Sequence, residues 1–265
     1  VIILSNDNQK IIGNDLIVYD GVFFRNFENL NQSQKYSEKL QILSFIGTEL
    51  INNFNEISLK LDPIIDDIRG FSWINHNTNK QKYNCRVKYT SYIDLNEFTE
   101  INDYNNINAF KNSSVSRRQE IRQALNNKEI ETQISHNIEK FMDLYEYNFA
   151  KQDIIISKKS INEMYSLLKN LLNKKKIIIT STSINKEVSY MNVFLVSQKA
   201  YYFAGAGDKN YQQNRTGTAA LWNSFFLLKN NGFEILDLEG VNSPSRGWYK
   251  MSFGGNLISY FNIFT

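Results

Sequence analysis

Hydrophobic positions recur with two different periods along the chain, and these periods predict its helices and strands. Segments in which apolar residues return every three or four positions are typical of amphipathic helices. Such helices are predicted over 35–54, 113–126, 137–150, 159–173 and 218–230. Segments rich in β-branched and aromatic residues are typical of strands. Strands are predicted over 14–20, 57–61, 86–95, 130–135, 176–183, 188–197, 200–205, 233–238 and 257–264.

The order of these elements predicts an α/β fold (α+β, with a mixed sheet). Residues 127–265 show the order β-α-α-β-β-β-α-β-α-β, in which the second-last element is a short helix over 247–253. A meander of three antiparallel strands is followed there by a helix and a parallel-type return. Residues 1–126 show a weaker β-α-β-α-β pattern. We therefore expect two structurally similar halves, 1–126 and 127–265.

The composition is that of a globular protein. Of the 265 residues, 42% are hydrophobic and 14% aromatic, which excludes disorder as the main state. No run of 18 apolar residues occurs, so no membrane span is expected, and residues 1–7 lack the features of a signal peptide. Because Val1 stands where a Met would begin a protein, we expect other residues to precede it.

Cysteine, charge and histidine exclude several kinds of site. The only cysteine, Cys85, rules out an intrachain disulfide and a Cys-based zinc site, and favours the reducing cytoplasm. A net charge of +3 is too small to argue for nucleic-acid binding by itself. His76 and His136 have no metal-ligand spacing, and neither Gly-x-Ser-x-Gly nor Gly-x-Gly-x-x-Gly occurs, which disfavours serine hydrolases and Rossmann dehydrogenases.

One candidate site is the start of the helix predicted over 218–230. Free N–H groups and the positive dipole end favour a phosphate there, and small residues allow a close backbone approach. An ordinary helix N-terminus with small packing residues is the alternative interpretation. The candidate phosphate-binding residues are Gln213, Asn214, Arg215, Thr216, Gly217, Thr218 and Ala219.

A second candidate is the loop, helix and loop of residues 237–255. Pro244 and four glycines are concentrated there, after a predicted strand, where open α/β sheets bind ligands. The segment offers charged and hydroxyl side chains, although a structural turn with surface charges is the alternative. Its candidate residues are Glu239, Ser243, Ser245, Arg246, Tyr249, Lys250 and Ser252.

Two further elements carry candidate residues. The strand over 200–205 contains Tyr202, whose hydroxyl could donate a proton if it is exposed, although a tyrosine in a strand more often belongs to the core. The strand ends in Gly-Ala-Gly, which suggests a bulge or a close backbone approach. The helix over 113–126 is basic and contains Arg117, Arg118 and Arg122. A solvated face is the simpler interpretation of this helix, and contact with an anionic ligand between the two halves is the alternative.

These segments together resemble the FemAB-like proteins, a branch of the GNAT superfamily that includes peptidoglycan interpeptide-bridge aminoacyltransferases. The resemblance covers roughly residues 58–258 and is strongest after residue 170. It is carried by 214–221 (Asn-Arg-Thr-Gly-Thr-Ala-Ala-Leu), 237–244 (Asp-Leu-Glu-Gly-Val-Asn-Ser-Pro), 246–255 (Arg-Gly-Trp-Tyr-Lys-Met-Ser-Phe-Gly-Gly) and, less closely, by 66–73, 89–95, 116–124 and 231–233.

The resemblance implies two GNAT-like halves with the acceptor between them, the second half being the acyltransferase domain. It implies acyl transfer from a thioester or aminoacyl ester to an amine. Asn214 stands where the GNAT phosphate loop has Arg or Gln, and Lys250 falls on the lysine of the family's aromatic-Lys-x-x-Phe-Gly motif, near the acyl donor or the oxyanion.

The chemistry of the residues agrees in outline with this implication. Amine attack on an acyl carbonyl needs a stabilised oxyanion, for which Lys250 is the candidate, and a group that accepts the amine proton, for which Glu239 is the candidate. Tyr202 or Tyr249 is the candidate acid. Acceptor binding is expected from Arg118, Ser243, Arg246 and Ser252.

Three functions therefore compete. The first is a cytoplasmic N-acyltransferase that uses acetyl-CoA or another acyl-CoA, needs no metal, and acylates an amino sugar or sugar-nucleotide in cell-envelope or polysaccharide biosynthesis. The second is an aminoacyl-tRNA-dependent transferase of peptidoglycan bridge formation, which is less favoured because it calls for a strongly basic surface. The third is a non-catalytic GNAT-like binding module, which the departure at Asn214 keeps open.

Overall fold

A computed structural model describes residues 9–11, 13, 16–152 and 154–265. The helices are α1 (Gln32–Asn53), α2 (Arg69–Ser72), α3 (Asn108–Asn112), α4 (Val115–Asn126), α5 (Ile138–Ala150), α6 (Lys158–Asn173), α7 (Thr216–Asn230) and α8 (Pro244–Met251). The strands are β1 (Lys10–Ile11), β2 (Glu56–Lys60), β3 (Asn84–Asp94), β4 (Ile130–Ser135), β5 (Ile177–Ile184), β6 (Glu187–Val196), β7 (Ala200–Gly207), β8 (Ile235–Asp237) and β9 (Asn256–Phe264).

The chain divides into two compact units, one of residues up to Thr90 with Ile258–Thr265, the other Ser91–Leu257. In the first unit β1 pairs with β2 in parallel, and β2 pairs with β9 in antiparallel fashion. Helices α1 and α2 pack closely because Gly70 lies against α1, where a methyl group would come within 2.4 Å of Leu43 Cβ. The core of this unit is formed by Ile11, Leu43, Leu50, Ile57, Leu59, Leu61, Ile65, Phe71 and Ile263.

The second unit is built on strands in the order β3-β8-β7-β6-β5-β4. All neighbours in this order are antiparallel except β7 and β8, which are parallel. Helix α7 packs on β4, β5 and β6, and helix α5 packs on β6 and β7. Mixed pairing with helices against the strands is the architecture of an α/β fold, which confirms the predicted fold class.

An aromatic cluster fills the core of the second unit. The ring of Phe98 lies 5.1 to 5.2 Å from the rings of Trp222, Phe225 and Phe226 in edge-to-face contacts. All four side chains are buried. Because three of them lie on α7, this cluster fixes the helix, and with it the position of the helix start.

The predicted order of elements in residues 127–265 is confirmed in full, including the parallel return of β8 onto β7. The strand predicted over 14–20 is wrong for its described part, where only Asp20 makes a bridge, to Leu61; residues 14 and 15, like the chain start at 1–7, lie outside the described residues. The short helix predicted at 247–253 begins earlier, because Pro244 takes its first position.

The boundaries of the compact units are not those of the predicted halves. Helix α4, placed in the N-terminal half at 1–126, lies in the second unit. It packs on α7, so its contacts tie it to the unit that follows it in sequence. A division into two similar halves stays a prediction.

Candidate active site

Strands β7 and β8 are paired over only a short length. Their register joins Ala200 with Leu236 and Tyr201 with Asp237, after which β8 ends and β7 continues to Gly207. The parallel pair therefore separates directly before Tyr202. Such a separation leaves backbone groups of β7 without a strand on that side, which is where a ligand can enter a sheet.

Helix α7 begins close to this separation with an unusual backbone. Arg215, which precedes the helix, has a left-handed conformation (φ 58°, ψ 26°). The first N–H groups of the helix have no partner within it. The side chains of Thr216 and Thr218 are buried, whereas Gln213, Asn214 and Arg215 are exposed. Of the predicted phosphate-binding residues, the buried ones could therefore contribute only backbone groups.

The predicted C-terminal segment lies directly against this helix start. Tyr249 Oη donates a hydrogen bond to the carbonyl oxygen of Gly217 at 3.1 Å. Ser252 Oγ, on the same segment, accepts a hydrogen bond from Arg117 Nε at 2.9 Å. Two segments separated widely in sequence, predicted independently as candidate sites, thus form one cluster.

Arg117 on α4 is the side chain that joins them. Its guanidinium lies over the rings of Tyr249 and Phe253, 4.8 and 4.5 Å from their centroids, and also bonds Thr218 Oγ1 and Glu120. Only 11% of this side chain is exposed. Arg117 therefore holds α4, α7 and the C-terminal segment together.

Arg118, the predicted acceptor-binding residue of this helix, points elsewhere. Its guanidinium donates to the carbonyl oxygens of Lys111 and Ser113, at 2.8 and 2.9 Å. Arg122 lies over the ring of Phe110. The arginine that reaches the cluster is Arg117. The interpretation of α4 as a solvated basic face therefore holds for only part of the helix.

Glu120 is a residue of the cluster that the sequence analysis missed. Its carboxylate accepts a hydrogen bond from Thr218 Oγ1 at 2.7 Å, forms an ion pair with Arg117, and lies 3.7 Å from the Arg215 guanidinium. The start of α7 therefore has a carboxylate of the chain itself beside it. The contact with Thr218 joins residues 98 positions apart, which no local pattern reveals.

Lys250 lies on α8, half-buried, beside the end of β8. Its Nζ is 5.6 Å from the ring centroid of Tyr202 and 3.5 Å from the carbonyl oxygen of Gly240. Burial lowers the pKa of Lys250, while the carboxylates of Glu239 and Asp237 act in the opposite direction. The Lys250 amine thus lies near the ring of Tyr202, with the charges of Glu239 and Asp237 close enough to act on it.

Glu239 is held by a tight turn after β8. Its backbone is left-handed (φ 58°), and its N–H donates to Asp237 Oδ1 at 2.7 Å. A left-handed conformation at a non-glycine residue is uncommon and clusters at functional sites. The turn directs the chain away from β8 and brings Glu239 near Lys250 and Tyr202.

Three tyrosines lie together at the separation of β7 and β8. The hydroxyls of Tyr202 and Tyr190 are hydrogen bonded to each other, and burial raises the pKa of Tyr202 well above its ordinary value. Burial likewise raises the pKa values of Tyr190 and Tyr249. All three phenols are therefore protonated at neutral pH. Tyr190 was not predicted from the sequence.

The Gly-Ala-Gly end of β7 makes room for these rings. A methyl group added at Gly205 would lie 2.0 Å from Tyr202 Oη, and one at Gly207 would lie 2.2 Å from the Tyr190 ring. The predicted close approach to the backbone is confirmed. The register of β6 and β7 also shifts between Val193 and Phe194, as expected of a bulge.

Two of the remaining predicted residues lie at the surface. Ser243 and Arg246 are exposed, and Trp248 beside them is 77% exposed. Ser252 is half-buried and donates to the Tyr249 carbonyl oxygen. Among the described residues, no group of three His, Cys, Asp or Glu side chains could hold a metal ion. No helix in the described part of the chain is long and apolar enough to span a membrane.

The meander β5–β7, the helix α7 that follows it and the parallel strand β8 that parts from β7 form the fold that this chain shares with a solved structure of FemX. The chain is similar to the crystal structure of FemX, with a TM-score of 0.61 and 10% identity over 88% of this chain and 78% of that one. This likeness confirms the family resemblance of the sequence at the level of the fold.

Two further solved structures are similar. One is the C-terminal domain of a protein assigned as a lysylphosphatidylglycerol synthetase from Agrobacterium fabrum (TM-score 0.57, 8% identity, 85% of this chain and 72% of that one). The other is L-PGS from Bacillus licheniformis (TM-score 0.53, 8% identity, 87% and 74%). No protein-family model matches the chain, and no curated protein matches it in sequence.

Proposed function

We propose that the chain is an N-acyltransferase, which moves an acyl group from an activated donor to an amine acceptor. One observation carries the proposal: the segments that the resemblance assigns to the reaction lie together. Tyr249 contacts Gly217, and Arg117 contacts both segments through Ser252 and Thr218. The fold by itself would not support an activity, because one fold hosts many functions.

In the proposed step, the amine nitrogen attacks the carbonyl carbon of the donor. The C–N bond forms, the bond from the carbonyl carbon to the donor's sulfur or oxygen breaks, and the amine loses a proton. Lys250 would stabilise the oxyanion. Glu239 would accept the amine proton directly or through water, and Tyr202, protonated because of its raised pKa, would supply a proton to the leaving group.

Tyr249 is less suited than Tyr202 to the role of acid. Its hydroxyl already donates to the Gly217 carbonyl oxygen, so its proton is engaged in holding α7. We propose that Tyr249 positions the helix start. The hydroxyl of Tyr202, in contrast, lies one hydrogen bond from Tyr190, through which its proton could be replaced.

Two donors are compatible with this chemistry. Acyl-CoA, with an amino sugar or a sugar-nucleotide as acceptor, is favoured by the phosphate-type loop at the start of α7. Aminoacyl-tRNA, with a peptidoglycan precursor as acceptor, is favoured by the likeness to FemX. The name lysylphosphatidylglycerol synthetase, in turn, indicates a product that carries a lysyl group. Both reactions would place the chain in the cytoplasm and in cell-envelope synthesis.

The test is transfer of label into an amide. The purified chain is incubated with acetyl-CoA or with aminoacyl-tRNA, each labelled in the acyl group, and with amino sugars, their nucleotide derivatives and lysine-containing peptidoglycan precursors. Because donor thioesters and esters are cleaved by mild base and amides are not, base-stable label measures transfer. We expect transfer from one donor class, lowered at least tenfold in Lys250→Ala.

Lys169→Ala is the matched control. Lys169 lies on α6, outside the cluster, and the substitution makes the same change of charge and size. Its transfer rate should equal that of the wild type, and both variants should remain folded, as judged by cooperative thermal unfolding. If no donor gives base-stable label, the proposed N-acyl transfer fails. If Lys250→Ala transfers at the wild-type rate, Lys250 has no part in the step.

A further inference from the structure

The start of α7 has a carboxylate beside it that belongs to the chain itself. Glu120 Oε2 accepts a hydrogen bond from the hydroxyl of Thr218, the third residue of the helix, and Glu120 Oε1 lies 3.7 Å from the guanidinium of Arg215, which precedes the helix. Arg117 completes the ion pair. A negative charge of the chain itself therefore lies beside the helix start, where an incoming anion would be repelled by it.

Two threonine side chains of the same helix start are packed inside the unit. Thr216 and Thr218 are only 2% and 4% exposed, and a methyl group at Gly217 would lie 3.1 Å from the Tyr190 ring. The Gly217 carbonyl oxygen is bonded by Tyr249. A diphosphate bound to the first turn of α7 would need space beside these side chains, and it would face the Glu120 carboxylate.

The two arginines do not reverse this argument. The guanidinium of Arg117 is committed to two aromatic rings, to Ser252 and to Glu120, and is almost buried. Arg215 is 45% exposed and is the cation that could turn toward an incoming anion. To do so, it would have to leave Glu120 beside that anion, where like charges repel each other.

We propose that Glu120 is a donor-selectivity residue, which excludes a diphosphate from the start of α7. The donor of this chain is then not acyl-CoA. This choice of donor rests on the proposed acyl transfer. The exclusion of diphosphate by Glu120 does not rest on acyl transfer, because it concerns binding alone.

Binding of CoA and of inorganic pyrophosphate, measured by titration calorimetry at low salt, tests the proposal. The full chain is compared with Glu120→Gln, which keeps the shape and hydrogen-bonding oxygen of the side chain and removes its charge. The wild type should show no saturable binding at millimolar CoA. The Gln variant should bind both probes at least tenfold more tightly, because Arg215 then has no carboxylate beside it.

Glu129→Gln, at an exposed glutamate of the same unit, controls for the change in net charge and should bind neither probe. Equal CoA affinity in the wild type and in Glu120→Gln overturns the inference and leaves acyl transfer intact. Failure of both proteins to bind overturns the selective role of Glu120. If Glu120→Gln gains binding while no donor yields a labelled amide, the proposed function fails and the exclusion stands.

Should Glu120→Gln not fold, as judged by thermal unfolding, Glu120→Ala provides a second route, because it also removes the carboxylate and its charge. CoA binding should then rise relative to the wild type, and unchanged binding contradicts the inference.

Discussion

Replacement of Arg117 by alanine tests whether the cluster is held together as the contacts indicate. The substitution removes a guanidinium that is stacked on Tyr249 and Phe253, donates to Ser252 and Thr218, and pairs with Glu120. Each cation–π contact contributes about 0.5–2 kcal/mol. Removing one partner of a buried ion pair costs about 3–5 kcal/mol, because the other charge stays behind.

Arg215 reduces this cost, since it lies 3.7 Å from the Glu120 carboxylate and can partly compensate for the lost cation. We therefore expect Arg117→Ala to lower the free energy of unfolding by about 3 kcal/mol, the lower end of the range for broken buried pairs. For a chain of this size, that loss corresponds to a fall in melting temperature of roughly 6–12 °C.

The assay is urea unfolding followed by tryptophan fluorescence, with Arg118→Ala as the control. Arg118 is the next residue and loses the same atoms, but its guanidinium bonds two carbonyl oxygens at the surface. We expect the control to lose about 0.5–1.5 kcal/mol. Arg117→Lys should fall between the two, because a lysine keeps the charge and lacks the planar stacking surface. Equal losses in Arg117→Ala and Arg118→Ala would refute the proposed linking role.

Two further predictions concern Gly254 and Lys250. Gly254→Ala should lower the free energy of unfolding by about 2–3 kcal/mol, since the residue has φ 77° and its new methyl group would lie 2.1 Å from the Ala109 carbonyl oxygen. Gly232→Ala, at φ 89° with open space around it, should lower it by only about 1 kcal/mol in the same urea assay. Equal losses in the two variants would contradict the steric argument. Burial lowers the pKa of Lys250, so its amine should become reactive toward an amine-directed reagent at a lower pH than an ordinary lysine side chain, as read by peptide mass spectrometry. The pKa of Lys250 in the folded chain lies below its unfolded pKa of 10.5, so the unfolded chain binds more protons between these two values. The free energy of unfolding of the wild type should therefore rise with pH in that range when it is compared with that of Lys250→Met. A difference between the two proteins that does not change with pH would contradict the lowered pKa.

The fold of residues 127–265 could be predicted because its helices and strands have clear periods. The 3₁₀ helix Ile101–Asn106 and α3 escaped prediction, since they are short and rich in asparagine, with too few apolar positions to show a period. The few apolar residues of these helices pack into the core of the unit; the ring of Phe110, for example, contacts that of Trp222. Both short helices therefore depend on packing against the core, which a local sequence pattern does not show.

The candidate site shows a similar limit. The two candidate segments could be predicted, because glycine, proline, small residues and charged residues are concentrated in them. The residues that join the segments could not be predicted. Arg117, Arg118 and Arg122 look alike in sequence, and which of them is buried depends on how α4 packs on α7. Glu120 looks like the ordinary i,i+3 partner of Arg117, and its contact with Thr218 is set by the same packing.

The glycines of β7 show how the site and the sheet constrain each other. In the middle of a strand, a glycine weakens the sheet because it has no side chain to pack. At Gly207 the cost is offset by the Tyr190 ring, which occupies the place that a side chain would take. The same ring lies beside Gly217 at the start of α7, so it joins the end of β7 to that helix. Since Tyr190 also bonds the Tyr202 hydroxyl, the packing that keeps β7 regular after it leaves β8 also orients the proposed acid.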